Sequence, residues 1–219
     1  MKLIIPALKR SYPGNDEFQL ETPELIFDEP GYTCVIGANG SGKSSFGEAL
    51  AQHSRLSDEQ NWYFLPQYLE RFLFAENIAE QLSELLSQKI DEARLIKLLD
   101  QLGFMDPAGM LEFPFLLMSG GERRRIALVC VFYLEPEYLI MDEPDIGVTA
   151  KENMVLLTKI NNLGAINAGL VVISHSYDFV KGSSGLICLK AGQVQEVGKT
   201  SALLADPEFK LKEWGVRFQ

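Results

Sequence analysis

The sequence predicts an α/β fold with a mostly parallel core sheet, an N-terminal antiparallel β-subdomain and an inserted α-helical subdomain. In the second half of the chain, apolar strand patterns at 138–141 and 170–173 flank a helical pattern at 150–163. This alternation implies right-handed crossovers and parallel strands that are covered by helices on both faces. Leucines at helical spacing fill much of 69–103, and short strands separated by turn residues occupy 2–27.

The N-terminal elements are short strands. Those predicted are residues 2–5, 17–20, 24–27, 32–36 and 62–65. A segment rich in turn-forming residues, 11–16, separates the first two, and Pro66 ends the last. A helix over residues 46–50 follows the strand 32–36, after a glycine-rich turn.

Helical periodicity begins near residue 69. Apolar residues share one face at Ile78, Leu82, Leu85 and Leu86, and another at Leu95, Leu98, Leu99 and Leu102. Asp91 is the predicted N-cap of the second helix and Gly103 its C-terminal stop. A further helix is predicted over 119–134, and a late pair of strands, 186–189 and 193–197, precedes a short helix after Thr200.

These elements fit a single domain over residues 1–219, which is an ordinary size for one hydrophobic core. We expect the α/β core to comprise residues 1–67 and 128–219, and the helical subdomain to comprise 68–127. The sequence contains no internal repeat that would indicate a different architecture.

The composition limits which kinds of binding partner and which cellular compartment we expect for the protein. Thirty acidic and twenty basic residues give a net charge of −10, which disfavours nucleic acid as a partner. The three cysteines, Cys34, Cys130 and Cys188, lie far apart among apolar residues and are expected to be free buried thiols in a reducing compartment. The longest strongly apolar run, 126–134, is too short to span a bilayer, and the N-terminus lacks the features of a signal peptide.

The glycine-rich turn has the spacing of a phosphate-binding loop. It reads Gly37, Ala38, Asn39, Gly40, Ser41, Gly42, Lys43 and Ser44, which is Gly, four residues, then Gly-Lys-Ser. The glycines allow backbone N–H groups to surround phosphate oxygens, Lys43 can reach the terminal phosphates, and the Ser44 hydroxyl can bind Mg²⁺. Because a buried strand precedes the loop and a helix follows it, bound phosphates would lie at the helix N-terminus.

Two acidic residues follow the apolar strand 138–141. Asp142 is delivered to the carboxyl edge of the sheet, where it can bind Mg²⁺ together with Ser44. Glu143 is one residue further on and is expected to orient or deprotonate an attacking water. The alternative is a strand that ends in a solvated acidic turn.

A second glycine-rich helix start contains Ser119, Gly120, Gly121 and Glu122. Ser119 is a good N-cap, and the two glycines leave amide donors open to an anion. An ordinary Ser-Gly-Gly linker would look the same, and the arginines at 123–125 are also consistent with a solvated helical face.

The whole set resembles the ATP-binding cassette (ABC) ATPases, which are P-loop NTPases. The motifs that carry the resemblance are 37–44, Gln67, 119–122, 142–143 and His175, in this order. The resemblance implies that ATP and Mg²⁺ bind at 37–44 with Ser45 directly after, and that Ser119, Gly120, Gly121 and Glu122 contact the γ-phosphate bound to a second protomer. It also implies that His175 contacts the γ-phosphate, that Gln67 senses Mg²⁺ and water, and that Tyr12 stacks on adenine.

The residues 67–76 and 113–127 are similar to those of ATPase subunits of energy-coupling factor importers, which take up vitamins, cobalt or nickel. This resemblance implies an ATPase that works with a second ATPase protomer and an integral membrane subunit, at the inner face of the cell membrane in the cytoplasm. In that setting, Phe72 and Phe74 either line the groove for the membrane partner or pack between the subdomains.

Two alternatives follow from the same motifs. One is a soluble ABC ATPase of repair, translation or Fe–S assembly, although the sequence lacks the basic arms, coiled-coil insertions or second cassette usual there. The other is a nucleotide-gated interaction subunit with low turnover. It is motivated by Thr149, which stands where the family usually has an aspartate that bonds across the dimer; Glu122 likewise replaces a commoner glutamine.

Overall fold

The computed structural model describes residues 2–12, 15–56, 62–69, 72–146, 148–166 and 169–218. Its strands are β1 Leu3–Ile5, β2 Leu8–Tyr12, β3 Asn15–Thr22, β4 Leu25–Phe27, β5 Thr33–Ile36, β6 Trp62–Leu65, β7 Tyr138–Asp142, β8 Gly169–Ile173, β9 Gly185–Lys190 and β10 Gln193–Lys199. Its α-helices are α1 Lys43–Leu56, α2 Ile78–Leu86, α3 Glu92–Gln101, α4 Gly120–Leu134, α5 Ala150–Ile166, α6 Tyr177–Gly182 and α7 Thr200–Ala205. Short 3₁₀ helices cover Gly109–Leu111, Phe115–Leu117 and Leu211–Trp214.

The main sheet has eight strands in the order β2-β3-β10-β9-β5-β8-β7-β6. Strands β9, β5, β8, β7 and β6 are mutually parallel, whereas β9 and β10 form an antiparallel pair, as do β2 and β3. Strands β1 and β4 form a separate antiparallel pair. The predicted α/β class, with a mostly parallel sheet and an antiparallel N-terminal part, is confirmed.

The core lies on both faces of the sheet, as parallel strands require. Along β5, Cys34 and Ile36 contact the cluster formed with α3, α4 and α5, whereas Val35 contacts the cluster formed with α1 and β1. All three cysteines are buried and free, as predicted. The loops after β5, β7 and β8 therefore leave the same edge of the sheet side by side.

Three local predictions were wrong. Strand β2 was not expected, because Lys9, Arg10 and Ser11 hide its pattern; it is an edge strand, where charged residues are common. Helix α6 was also not expected. The helical pattern proposed from residue 69 begins only at Ile78, because the buried side chain of Gln81 bonds the backbone of Phe72 and Phe74 and holds residues 72–74 in an irregular path.

The two predicted caps of α3 are present. Asp91 accepts a hydrogen bond from the backbone N–H of Arg94 over 3.1 Å, which satisfies one of the free donors of the first turn. Gly103 follows the last turn with a φ of +80°, in the left-handed region that favours glycine after a helix.

Candidate functional site

The turn between β5 and α1 is folded around the side chain of Lys43. The buried ammonium donates to the carbonyl of Gly37 over 2.8 Å and to that of Ala38 over 3.2 Å. Burial lowers the pKa of Lys43, while the carboxylates of Glu143 and Asp142 oppose that shift. The Lys43 ammonium therefore faces two carboxylates across the site. Its only direct hydrogen-bond partners in the described part of the chain are carbonyl oxygens.

The backbone of the turn is closely packed. Gly42 has a φ of +102°, and a Cβ atom there would lie 2.9 Å from the ring of Phe18, so that a larger residue would be excluded. The backbone N–H of Ser41 donates to the carbonyl of Ala38 over 3.0 Å. The hydroxyl of Ser41 is buried and has no hydrogen-bond partner in the part of the chain that the structure describes. This unpaired hydroxyl belongs to a turn whose backbone N–H groups suit the binding of an anion.

Asp142, the last residue of β7, is almost fully buried beside the start of α1. Burial raises the pKa of its carboxyl to about 6, and a hydrogen bond with the Ser44 side chain opposes this rise. Its Oδ1 atom is buried and has no hydrogen-bond partner among the described residues. An unpaired carboxylate oxygen next to a hydroxyl fits Mg²⁺, which binds few protein oxygens and otherwise keeps water or phosphate ligands. The described residues contain no cluster of three or more His, Cys, Asp or Glu that could hold a metal by themselves.

Glu143 is held by side chains from two other loops. The amide of Gln67 donates to Glu143 Oε2 over 2.9 Å, and His175 Nε2 lies 3.3 Å from Glu143 Oε1. Glu143 has a left-handed φ of 48°, which is costly for a residue with a side chain and indicates a fixed orientation. The loops after β6, β7 and β8 thus converge on one carboxylate.

The histidine ring has a defined role in this arrangement. Its Nδ1 atom lies 3.0 Å from the carbonyl of Gly215, and because a carbonyl only accepts, Nδ1 carries a proton. Burial, followed by the charge of Lys43, lowers the pKa of His175. Nε2 is therefore the nitrogen that faces Glu143: it presents a lone pair in the neutral ring and donates to Glu143 Oε1 when the ring is protonated.

Arg124 supports the same loops and was missed by sequence reasoning, which considered a solvated face for it. Its side chain is 4% exposed and donates to four backbone carbonyls. These belong to Pro66 at 2.6 Å, Gln67 at 3.4 Å, Asp142 at 2.6 Å and Glu143 at 2.7 Å. Burial lowers its pKa to about 10. The only sequence signal was its position at the start of a helix that is apolar on all faces from residue 126 onward.

The second glycine-rich segment begins α4. The Ser119 hydroxyl accepts from the N–H of Glu122, while the Glu122 carboxylate accepts from the N–H of Ser119, which is a complete capping box. The Ser119 hydroxyl also approaches the Glu122 carboxylate to 2.7 Å and can donate to it, and this bond, followed by the one from the Ser119 N–H, lowers the pKa of Glu122. A Cβ atom at Gly120 would meet nothing within 4 Å, so the helix start is open on that side.

Thr149 caps the helix that follows the acidic loop. Its hydroxyl accepts from the N–H of Glu152 over 3.3 Å, and the Glu152 carboxylate accepts from the N–H of Thr149 over 2.6 Å. The other oxygen of Glu152 pairs with Arg125 over 2.7 Å. The start of α4 is therefore tied to the start of α5 through Glu152.

An open cleft of about 630 Å³ collects nine of the eighteen predicted site residues. Its lining includes Asn39, Gly40, Gly42, Lys43, Ser44, Ser45, Gln67, Glu143 and His175. Three further residues line it that the sequence did not suggest, Phe18, Ile146 and Arg217. None of Ser119, Gly120, Gly121 or Glu122 lines this cleft, and the side chain of Tyr12 lies outside the described residues.

Comparisons with known proteins agree with this geometry. A family model described as ABC transporter matches residues 20–145. The energy-coupling factor transporter ATP-binding protein EcfA3 of Oenococcus oeni is 27% identical over 90% of this chain and 80% of its own length. The nickel import ATP-binding protein LarO of Lactiplantibacillus plantarum is 28% identical over 81% and 85%. The cobalt import ATP-binding protein CbiO of Rhodobacter capsulatus is 27% identical over 93% and 81%.

Two solved structures have the same fold. An ATP-binding subunit of an ABC transporter superposes with a TM-score of 0.71 at 21% identity, covering 97% of this chain and 94% of that one. A dimeric ATP-binding cassette in a post-hydrolysis state, bound to ADP and Pi, superposes with a TM-score of 0.68 at 17% identity, covering 91% and 99%.

Proposed function

The chain belongs to the ABC transporter family, and from this premise we propose that it is an ATP-hydrolysing subunit that dimerises head to tail around ATP and powers a membrane importer. Relatives named for nickel and cobalt import support a metal ion as the proposed cargo, and a vitamin is the other cargo that we propose. The observation that carries the proposal is the carboxylate of Glu143, which accepts a hydrogen bond from Gln67 and lies 3.3 Å from His175 Nε2, in the cleft that also contains Lys43.

ATP is proposed to bind with its phosphates in the turn 37–42, against the N-terminus of α1. The backbone N–H groups of the turn and the helix dipole favour an anion there. Lys43 now contacts carbonyl oxygens, and a phosphate would be a better partner for its ammonium. Ser45 lines the same cleft, and Phe18 or Tyr12 is the proposed aromatic partner of adenine.

Ser44, Asp142 and Gln67 are the proposed ligands of Mg²⁺, supported by the unpaired Oδ1 atom of Asp142 beside the Ser44 hydroxyl. When bound, Mg²⁺ supplies charge neutralisation on the phosphate oxygens. Glu143 is the proposed group that orients the attacking water and accepts its proton, because its carboxylate is fixed and faces the cleft. His175 is proposed to steady that carboxylate and contact the terminal phosphate.

Ser119, Gly120, Gly121 and Glu122 are proposed to act on ATP bound to the second protomer. They lie outside the cleft of their own chain, and the start of α4 is open at Gly120. The fold neighbour in a dimeric, ADP- and Pi-bound state supports this arrangement. A single chain would then bind ATP but would lack the part of the catalytic site that the second protomer supplies.

A membrane subunit is the proposed partner of the helical subdomain, for which we keep the boundaries 68–127. Its surface exposes Tyr68, Phe74, Leu116 and Leu117, the last two at 87% and 71%. Phe72 is buried and packs within the core, so Phe74 alone of the two phenylalanines can line a docking surface. Among the described residues, no helix is long and apolar enough to cross a bilayer. We propose a cytoplasmic protein bound peripherally at the inner face of the cell membrane.

Affinity purification from detergent-solubilised membranes tests the transport assignment. The expected result is retention of a multi-span membrane protein together with the chain, and loss of that protein in a Phe74→Asp, Leu116→Asp double variant. Ile26→Asp is a matched control, since Ile26 is also an exposed apolar residue but lies on β4. Recovery of ribosomes, DNA or no partner would contradict transport and favour the soluble alternative.

A further inference from the structure

The C-terminal segment 206–218 carries no motif of the cleft, yet Arg217 lines it. We propose that Arg217 is a second cationic contact for the terminal phosphate of ATP, supplied by the C-terminal segment of the same chain. This inference rests on the proposed function, because it requires ATP in the cleft.

The backbone of Arg217 is fixed beside His175. The N–H of Arg217 donates to the carbonyl of His175 over 2.7 Å, and the carbonyl of Arg217 accepts from the N–H of Tyr177 over 3.0 Å. Ser176 and Arg217 thereby form an isolated parallel bridge. The segment is registered against the loop after β8, the same loop that delivers His175 to Glu143.

Packing keeps the segment in this place. Leu211 and Val216 are buried, and the rings of Tyr177 and Phe218 lie 4.8 Å apart between centroids. Gly215 has a φ of +74°, and a Cβ atom there would lie 3.2 Å from the Cα atom of Ala38. The segment thus runs directly along the turn 37–42 on its way to Arg217.

The charge balance of the cleft explains what Arg217 would add. Asp142 and Glu143 bring negative charge, whereas Lys43 is the one other cation of the described lining apart from the histidine. Nucleoside triphosphates bring about four negative charges of their own, which Lys43 and a bound Mg²⁺ balance only in part. Arg217 is exposed and forms no salt bridge with the described residues, so its guanidinium is available to a phosphate, which it can contact through two N–H groups.

The position of Arg217 selects the phosphate it would contact. Its N–H bonds the carbonyl of His175, whose Nε2 atom faces Glu143, the group proposed to orient the attacking water. Its charge also contributes, after burial and Lys43, to the lowered pKa of His175. The contact is therefore assigned to the terminal phosphate, which ATP has and ADP lacks.

Equilibrium binding of the non-hydrolysable analogue AMP-PNP and of ADP tests the inference. Arg217→Ala is expected to weaken AMP-PNP about tenfold, as loss of a charged hydrogen bond does, and to weaken ADP less than about twofold. Arg217→Lys should recover part of the loss, and the difference from wild type should shrink as salt is raised. Lys212→Ala is the control, because Lys212 is exposed on the same segment but does not line the cleft.

Unchanged AMP-PNP binding in Arg217→Ala, or an equal loss for ADP and AMP-PNP, would overturn the assignment to the terminal phosphate. A similar loss in Lys212→Ala would also overturn it, because the effect would then be one of general surface charge. Wild-type protein that binds neither nucleotide would contradict the proposed function itself, and the inference with it. Thermal unfolding of each variant shows whether the segment remains folded.

Discussion

The side-chain amide of Gln67 donates a hydrogen bond to Glu143 Oε2 over 2.9 Å and so joins the loop after β6 to the loop after β7. His175 approaches the other oxygen of the same carboxylate from the loop after β8. Three loops from adjacent parallel strands therefore converge on one acid. A carboxylate held in this way pays little reorganisation cost when it positions a water molecule.

Glu143→Gln should lower the rate of ATP hydrolysis by about 10²- to 10⁴-fold, because a glutamine cannot accept the proton of the attacking water. Binding of ATP should remain within about threefold of wild type, since the side chain keeps its size. Phosphate release and nucleotide affinity measure the two effects. Glu137→Gln, an exposed acid just before β7, is the control. An unchanged hydrolysis rate would refute the role of Glu143 and favour the low-turnover alternative.

Arg124→Ala should lower the free energy of unfolding by about 3 kcal/mol, because four backbone carbonyls lose a charged donor. It should also lower the hydrolysis rate, since two of these carbonyls belong to Gln67 and Glu143. Urea unfolding and phosphate release measure these effects. Arg123→Ala removes the neighbouring guanidinium, which bonds only the carbonyl of Met118 among the described residues, and should cost less than about 1 kcal/mol. Equal losses of unfolding free energy in the two variants would contradict this prediction, because the buried contacts of Arg124 would then stabilise the protein no more than the single contact of Arg123.

The sequence predicted which residues form the candidate site better than it predicted which residues hold them in place. The turn 37–44, Asp142, Glu143 and His175 each follow a strand, and parallel strands bring their carboxyl ends to one edge, so their convergence was foreseeable. Arg124 and Arg217 act through contacts with distant segments and leave no periodic signal. The edge strand β2 was hidden for a related reason, because its charged residues suit an exposed edge and not a core pattern.

Glu152→Gln should lower the free energy of unfolding by about 1 to 2 kcal/mol at pH 7, because the carboxylate bonds both Arg125 and the N–H of Thr149. Burial alone would raise the pKa of Glu152, but these partners lower it below its usual value. With a lowered pKa in the folded state, the stabilisation is complete above the unfolded pKa and is lost as pH falls through the folded one.

The difference between wild type and Glu152→Gln should therefore be constant at neutral pH and shrink in acid. Chemical denaturation at a series of pH values measures it. Glu92→Gln, in the exposed first turn of α3, is the control and should change stability by less than about 0.5 kcal/mol. A difference that grows on acidification would contradict the assigned ionisation.

Gly120→Gln and Lys43→Ala should each abolish most ATP hydrolysis alone, and mixing the two proteins should restore part of it. In a head-to-tail dimer of one chain of each kind, one site combines both defects, and the other combines an intact phosphate loop with an intact start of α4. Gly120 suits this experiment because a Cβ atom there meets nothing within 4 Å of its own chain, so a loss of activity reflects the ligand or the partner. Hydrolysis is measured over a range of total protein concentrations and mixing ratios. The Lys43→Ala protein alone, at the same total concentration, is the baseline. Activity should be greatest near equal proportions and rise with concentration as dimers form. A mixture no more active than the sum of its parts would show that 119–122 do not complete the site of a second chain.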